Sequence, residues 1–144
     1  MQMTTPQLRK LLLTILMPAI LLGVAYNVYE NYDWPVPEAA KQMKNPLSSS
    51  PAAFLAARAV YRDKCVNCHG DSGKGDGPDA ASYYPSPTNF TDVSKMAART
   101  DGEIFYRITH GRRPMPSFHR KLTDEQRWQL VLLIRTFPAS SPPR

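Results

Sequence analysis

The sequence is poor in cysteine and histidine: it holds two cysteines and three histidines in 144 residues. Cys65 and Cys68 are therefore the only thiols, and no other pairing competes for them. It also lacks a run of basic residues, although its formal net charge is +6, so nothing indicates a nucleic-acid binder. The scattered positive charge fits either a solvated surface or steering toward an acidic partner.

Two ligand-binding loop motifs, one for phosphate and one for calcium, are incomplete in this sequence. Residues 70–89 are rich in glycine and proline, but no Gly-Lys-Ser/Thr closes the segment, so it is not a phosphate-binding loop. The acidic spacing of a calcium loop is also missing, because Gly73 and Gly75 stand where ligands should be. The segment is predicted to be an irregular loop. We find neither internal repeats nor a convincing strand, which predicts an all-α protein.

A targeting or anchoring element is predicted at the N-terminus. Arg9 and Lys10 precede an apolar run over residues 11–26, which can be extended to Tyr29 and so comes near the lower limit of about 17 residues for a spanning helix. Positive charge before the run keeps that end in the cytoplasm and sends the rest of the chain across the membrane.

Two outcomes remain open for this segment. The small residues up to Ala25 suit cleavage of a signal peptide, whereas four aromatic residues suit the outer interface of a retained anchor: Tyr26, Tyr29, Tyr32 and Trp34. We favour retention. No cysteine stands directly after the apolar run, which excludes a bacterial lipoprotein anchor.

The composition divides the chain into four parts. Residues 1–32 form the anchor or signal segment, and residues 33–50 a Pro/Ser-rich linker that we expect to act as a flexible tether. Residues 51–137 form the globular domain, and residues 138–144 a flexible tail. A domain of fewer than about 100 residues buries a modest core and often needs a cofactor to stabilise it.

Three helices are predicted in the domain. Ser50 and Pro51 supply an N-cap and a first helical position for a helix that runs to Lys64. Capping boxes beginning at Thr100 and Thr123 start two more. The first of these ends before Gly111, and the second is expected to run to about Thr136.

The two cysteines belong to the motif Cys65-Val66-Asn67-Cys68-His69, which is C-x-x-C-H, the attachment signature of a c-type haem. Both thiols would bond to the porphyrin, and His69 would ligate the iron. A zinc site would need two more ligands, and only His110 and His119 are available beyond His69. A redox dithiol would need a βαβ context, which is missing.

The sixth iron ligand is predicted to be Met115. This residue stands between two prolines, which fix φ and can hold a thioether rigidly. The competing ligands are His119, His110 and Met96. His119 is the main rival because it lies four residues beyond Met115, and Met96 is better explained by packing. Ligation by histidine and methionine raises the reduction potential and leaves no open site for oxygen, peroxide or substrate.

Residues 51–137 resemble a class I c-type cytochrome, a mono-haem cytochrome c domain. The resemblance rests on the C-x-x-C-H motif and its preceding helix, and on three further segments: residues 101–111, Met115-Pro116-Ser117-Phe118 and residues 122–126. It implies a small helical fold around one covalent haem, with the first and last helices crossing near Tyr61 and Trp128. Pro87, Asn89 and Phe90 resemble the loop beside the haem. Arg112 or Arg113 could pair with a haem propionate, and a solvated surface arginine is the alternative.

The function that follows is single-electron transfer, with no catalytic residues and no small-molecule substrate. We expect the domain to be tethered to the bacterial inner membrane on the periplasmic side. Its partners would be redox proteins, a respiratory or photosynthetic membrane complex above all. A fixed haem subunit of a membrane oxidoreductase complex is the alternative. A haem enzyme or gas sensor with an open iron site is the alternative of another class.

Overall fold

The computed structural model describes residues 5–31 and 34–138. The chain divides into two compact units, Met1–Pro35 and Val36–Arg144. In the described residues the elements are helical and no strand is present; the one β-bridge joins Arg112 and Met115. The all-α prediction is confirmed.

Over residues 5–31, the first unit is an apolar helical rod. It comprises α1 (Thr5–Leu11), a π-helical stretch (Leu12–Leu16) and α2 (Met17–Asn31). Pro18 lies two residues beyond the π-helical stretch and cannot donate a backbone hydrogen bond, which is a recognised cause of irregular helix. The helix Thr5–Val28 is 24 residues long and contains an 18-residue stretch with a mean hydropathy of 2.1, so it is long and apolar enough to cross a membrane. The rod thus begins earlier than the apolar run alone predicts.

The second unit contains six α-helices in its described part. They are α3 (Glu38–Lys41), α4 (Pro51–Lys64), α5 (Val66–His69), α6 (Val93–Ala97), α7 (Asp101–His110) and α8 (Asp124–Ile134). The predicted N-caps are confirmed, since Ser50 Oγ accepts from Ala53 N and both capping boxes are formed. Helix α8 ends two residues earlier than predicted. The amides of Thr136 and Phe137 bond three residues back rather than four, which tightens the chain into a turn.

The core lies where α4 and α7 pack against α8. Ala57 of α4 and Val131 of α8 are completely buried, which brings these two helices close together. Trp128 stacks on Phe105 of α7 with ring centroids 4.0 Å apart, whereas Tyr61 contacts Phe137 at 5.3 Å. Helix α4, which holds Tyr61, packs against α8, which holds Trp128, and the two rings take different aromatic partners.

Residues 36–50, predicted to be part of a flexible tether, lie on the folded domain instead. Val36 and Ala40 are buried, and Asn45 Nδ2 donates to the carbonyl of Trp128 at 3.0 Å. The close approach depends on Gly102 of α7: a Cβ there would lie 1.9 Å from the carbonyl oxygen of Ala40. Proline and serine predicted an irregular segment, but they do not prevent such a segment from packing.

Candidate functional site

The C-x-x-C-H motif occupies the junction of α4 and α5. Helix α4 ends at Lys64, and a turn of helix follows in which the amides of Cys68 and His69 both donate to the carbonyl of Cys65, at 3.2 and 2.9 Å. Residues three and four positions apart share a face of a helix. The local structure therefore presents both thiols and the imidazole to the same side.

Both thiols are free and resist ionisation. Burial is the main reason that the pKa of Cys65 rises to about 12, and the neighbouring Cys68 raises it further. Burial and then the charge of Asp79 also raise the pKa of Cys68. No group of three histidine, cysteine or acidic side chains within residues 5–31 and 34–138 is placed to hold a metal ion. Neutral sulfur suits a thioether, which carries no charge.

His69 is held as a neutral imidazole of defined orientation. The residue is 9% exposed, and burial lowers its pKa, an effect that a hydrogen bond to the carbonyl of Thr88 partly opposes. Nδ1 lies 3.1 Å from that carbonyl oxygen, which can only accept, so Nδ1 carries the proton. The Phe90 ring stacks on the imidazole at 4.5 Å and 15°. Nε2 is therefore left as the acceptor, which is the arrangement a metal-ligating histidine requires.

The glycine-rich loop brings Thr88 and Phe90 to this histidine. Its first part is bonded to the motif, with Gly75 N donating to the carbonyl of His69 at 2.9 Å. Its last part returns through Phe90 N, which donates to the carbonyl of Gly73 at 2.7 Å. Gly73 has a positive φ, and a Cβ there would lie 2.8 Å from the Phe137 ring, so glycine is required at this position. The loop is a support for His69.

Met115 lies on a loop that starts at the end of α7 and then returns to it. It is half-buried and packs against the same hydrophobic core as Cys65 and Val66. The loop begins at Gly111, whose φ is +63°, and a Cβ there would lie 2.4 Å from the backbone of Pro116. The structure thus gives Met115 a defined place on the core that also receives the haem-attachment motif.

The two rival histidines are exposed and engaged elsewhere. His110 stacks on Tyr106 at 3.9 Å and its Nδ1 lies 2.9 Å from the Tyr106 carbonyl. His110 and His119 line a cavity of about 430 Å³, whose other lining residues are Phe105, Thr109, Ser117, Asp124 and Arg127. The four predicted haem-binding residues all belong to the described chain and lie outside that lining. Met96 is 2% exposed within the core, as packing predicts.

The sequence did not reveal three residues that support the site. The acceptor for His69 is a backbone carbonyl, that of Thr88, which has no side-chain signature. Thr109 and Arg127 form a buried hydrogen bond of 2.6 Å beside the returning Met115 loop. Thr109 stands near the end of α7 and Arg127 stands in α8. Nothing in the sequence pairs these two residues until the two helices are placed side by side.

The residues present fit a covalent haem. A covalent haem requires two thiols for attachment and side chains that can ligate iron. The chain has two neutral thiols, an imidazole whose Nε2 is an acceptor, and a half-buried thioether. The fit rests on protonation and orientation as well as on the motif.

Comparison with known proteins agrees with this fit. The family model described as "Cytochrome C oxidase, cbb3-type, subunit III" matches residues 52–134. No curated protein matches the chain. Among solved structures, a chain of the "Kuenenia stuttgartiensis reducing HAO-like protein complex Kustc0457/Kustc0458" is 28% identical, with a TM-score of 0.56 over 76% of this chain and 54% of that one. The "KustC0563 c-type cytochrome" is 29% identical, with a TM-score of 0.51 over 56% of this chain and 95% of that one.

The present chain spans about half the length of the first of these structures, 54%. The matched family region contains the C-x-x-C-H motif, the loop that supports His69 and the Met115 loop. The chain therefore belongs to the family of cbb3-type cytochrome c oxidase subunit III, and its folded part is a mono-haem class I cytochrome c domain that carries one covalent haem c.

Proposed function

We propose that this protein transfers single electrons as a membrane-tethered mono-haem cytochrome. Cys65 and Cys68 would hold the haem as thioethers, and His69 and Met115 would be the axial ligands. The observation that carries the proposal is the neutral, buried His69 with its Nδ1 proton directed at the Thr88 carbonyl, because that arrangement presents Nε2 as a ligand.

When bound, haem supplies a one-electron couple of ferric and ferrous iron. The chain's own residues would determine how easily that couple operates. Thr88 and Phe90 restrict the His69 ring, so little reorganisation accompanies a change of charge. The Met115 thioether would hold the iron from the second side, where it would favour the ferrous state and exclude water and substrates. Such a centre is an electron carrier rather than an enzyme.

The apolar rod supports a location at the bacterial inner membrane, with the haem domain in the periplasm. Arg9 and Lys10 lie in the last turn of α1, on the side of the apolar run that would stay in the cytoplasm, and the helix Thr5–Val28 is long enough to span. Attachment to the membrane would raise the effective concentration of the domain at a membrane-bound redox partner, such as a respiratory or photosynthetic complex.

The absorption spectrum of the purified, unmodified holoprotein tests this function. We expect an intact mass that includes one haem, and a far-red charge-transfer band from sulfur to ferric iron. We also expect no binding of carbon monoxide to the reduced protein, because both axial positions would be filled. A high-spin ferric spectrum together with ready carbon monoxide binding would contradict the proposal and favour an enzyme or gas sensor with an open iron site.

A fixed haem subunit of a membrane oxidoreductase complex is the second candidate. It is favoured by the family description, which names an oxidase subunit, and by a solved neighbour that is a chain of a complex. Gentle detergent solubilisation of native membranes followed by size separation distinguishes the two. A free carrier is expected to migrate alone in its micelle, whereas a subunit is expected to co-migrate with larger chains in constant stoichiometry.

A further inference from the structure

Arg127 is a charged side chain that is buried although it lies at the polar start of α8. The residue is 2% exposed, and its guanidinium lies over the Phe105 ring, with Cζ 5.0 Å from the centroid. Nη1 donates to Thr109 Oγ1 at 2.6 Å, and Nη2 pairs with Asp124, whose side chain is 80% exposed. Burying a cation costs free energy unless its hydrogen bonds are made, so the position of Arg127 depends on its partners.

Thr109 connects this arginine to the Met115 loop. Its hydroxyl accepts from Arg127 and donates to the Phe105 carbonyl at 2.7 Å. Its own carbonyl accepts from Ser117 Oγ at 2.7 Å and from His119 N at 3.1 Å. Ser117 and His119 follow Met115 by two and four positions. Thr109 thus contacts the returning part of the loop through its carbonyl and the buried Arg127 guanidinium through its hydroxyl.

Hydrogen bonds restrain this side of the loop, together with the packing of Phe118, which is 5% exposed in the core. The cavity of about 430 Å³ lies between Ser117, Thr109 and Arg127, so close-packed side chains do not fill the space there. Phe118 N donates to the Ile108 carbonyl at 3.2 Å and adds one more bond to the end of α7.

We propose that Thr109 and Arg127 are positioning residues for Met115. They hold the returning part of its loop against the end of α7, and thereby keep the thioether in reach of the iron. The inference rests on the proposed function, in which Met115 is the sixth ligand. Neither residue touches the haem-binding groups in this account; both act through the bonds that the Ser117 hydroxyl and the His119 amide make to the Thr109 carbonyl.

Arg135 provides a matched control at the opposite end of α7. Its guanidinium donates to Asp101 at 2.7 Å and to the carbonyls of Met96 and Arg99 at 2.7 and 2.6 Å. Arg127 and Arg135 therefore both join α8 to α7, but only Arg127 lies at the end from which the Met115 loop departs. Loss of either is expected to lower stability, whereas only loss of the Arg127–Thr109 contact should loosen the ligand.

The experiment uses the ferric holoprotein and free imidazole as a competitor for the sixth position. Thr109→Val keeps the shape of the side chain and removes its hydroxyl, and we expect it to bind imidazole roughly tenfold more tightly and to weaken the far-red band, because hydrogen bonds to charged groups contribute at about that scale. Thr109→Ser restores the hydroxyl and should return both readouts to within about threefold of the unmodified protein. Arg135→Met should lower the melting temperature with unchanged imidazole affinity.

Unchanged imidazole affinity and an unchanged far-red band in Thr109→Val would overturn the inference, as would an equal rise in Arg135→Met. If Thr109→Val fails to fold, Ser117→Ala replaces it, since this variant removes one bond to the Thr109 carbonyl at an exposed position. If the far-red band is absent from the unmodified protein, Met115 is not the ligand, and the proposed ligation and the inference both fall. A band that is present but insensitive to these variants refutes the inference alone.

Discussion

Replacing Cys65 and Cys68 together with alanine is expected to yield a chain that carries no covalent haem and whose second unit is largely unfolded. The two thiols are the only points at which the porphyrin can be attached. Cys65 and Val66 already pack against the core, so the haem would contribute to that core, and its loss removes both a cross-link and buried apolar area. Haem staining of a denaturing gel and circular dichroism measure the two effects.

Two further variants make this result specific. Each single replacement, Cys65→Ala or Cys68→Ala, should retain haem through the remaining thioether, and the stain should persist. Val66→Ala changes a core residue between the two cysteines but keeps both thiols, so attachment should be normal. A double variant that folds cooperatively without haem would show that the protein core alone is sufficient, contrary to the expectation for a domain of this size.

Met115→Ala is expected to open the iron without detaching the haem. The far-red band should disappear, the reduced protein should bind carbon monoxide, and the reduction potential should fall by on the order of 0.1 V, a small part of the ~0.8 V range that axial ligands span. Absorption spectroscopy and a potentiometric titration measure these changes. The domain should remain folded, because both thioethers and His69 are unaffected.

His119→Ala is the matched control, because His119 is the nearest rival in sequence. Its side chain is exposed, and the bonds that hold it to Thr109 and Ser117 come from its backbone amide. We expect the spectrum and the potential to be unchanged in this variant. The reverse pattern, with His119→Ala spectrally altered and Met115→Ala normal, would assign the sixth position to the histidine.

The parts of the fold that depend on neighbouring residues were predictable from the sequence. Ser50, Thr100 and Thr123 start helices because their hydroxyls bond to amides three residues ahead, which is a local interaction. The C-x-x-C-H motif is local in the same sense, and so its five residues are enough to indicate haem. Helix ends were less certain: α8 stops at Ile134 because the last turn tightens, which no single residue specifies.

The parts that depend on long-range contacts were not predictable. The Thr88 carbonyl lies nineteen residues from His69 in the chain, and the Arg127 guanidinium lies eighteen from Thr109. Both contacts require the loops and helices to be in place first. The packing of residues 36–50 is a third case. Pro and Ser content predicts irregular backbone, but Gly102, which permits that backbone to approach, lies much later in the chain, in α7.

The placement of residues 36–50 changes where a soluble fragment of this protein should begin. Truncation just before Pro51, at the boundary that composition suggests, would remove Val36 and Ala40 and break the bond from Asn45 to Trp128. The surface of α7 around Gly102 would then be bared to solvent. A fragment that starts at Val36 keeps residues 36–50 on the surface of α7. We expect the fragment that starts at Pro51 to be more prone to aggregation and proteolysis.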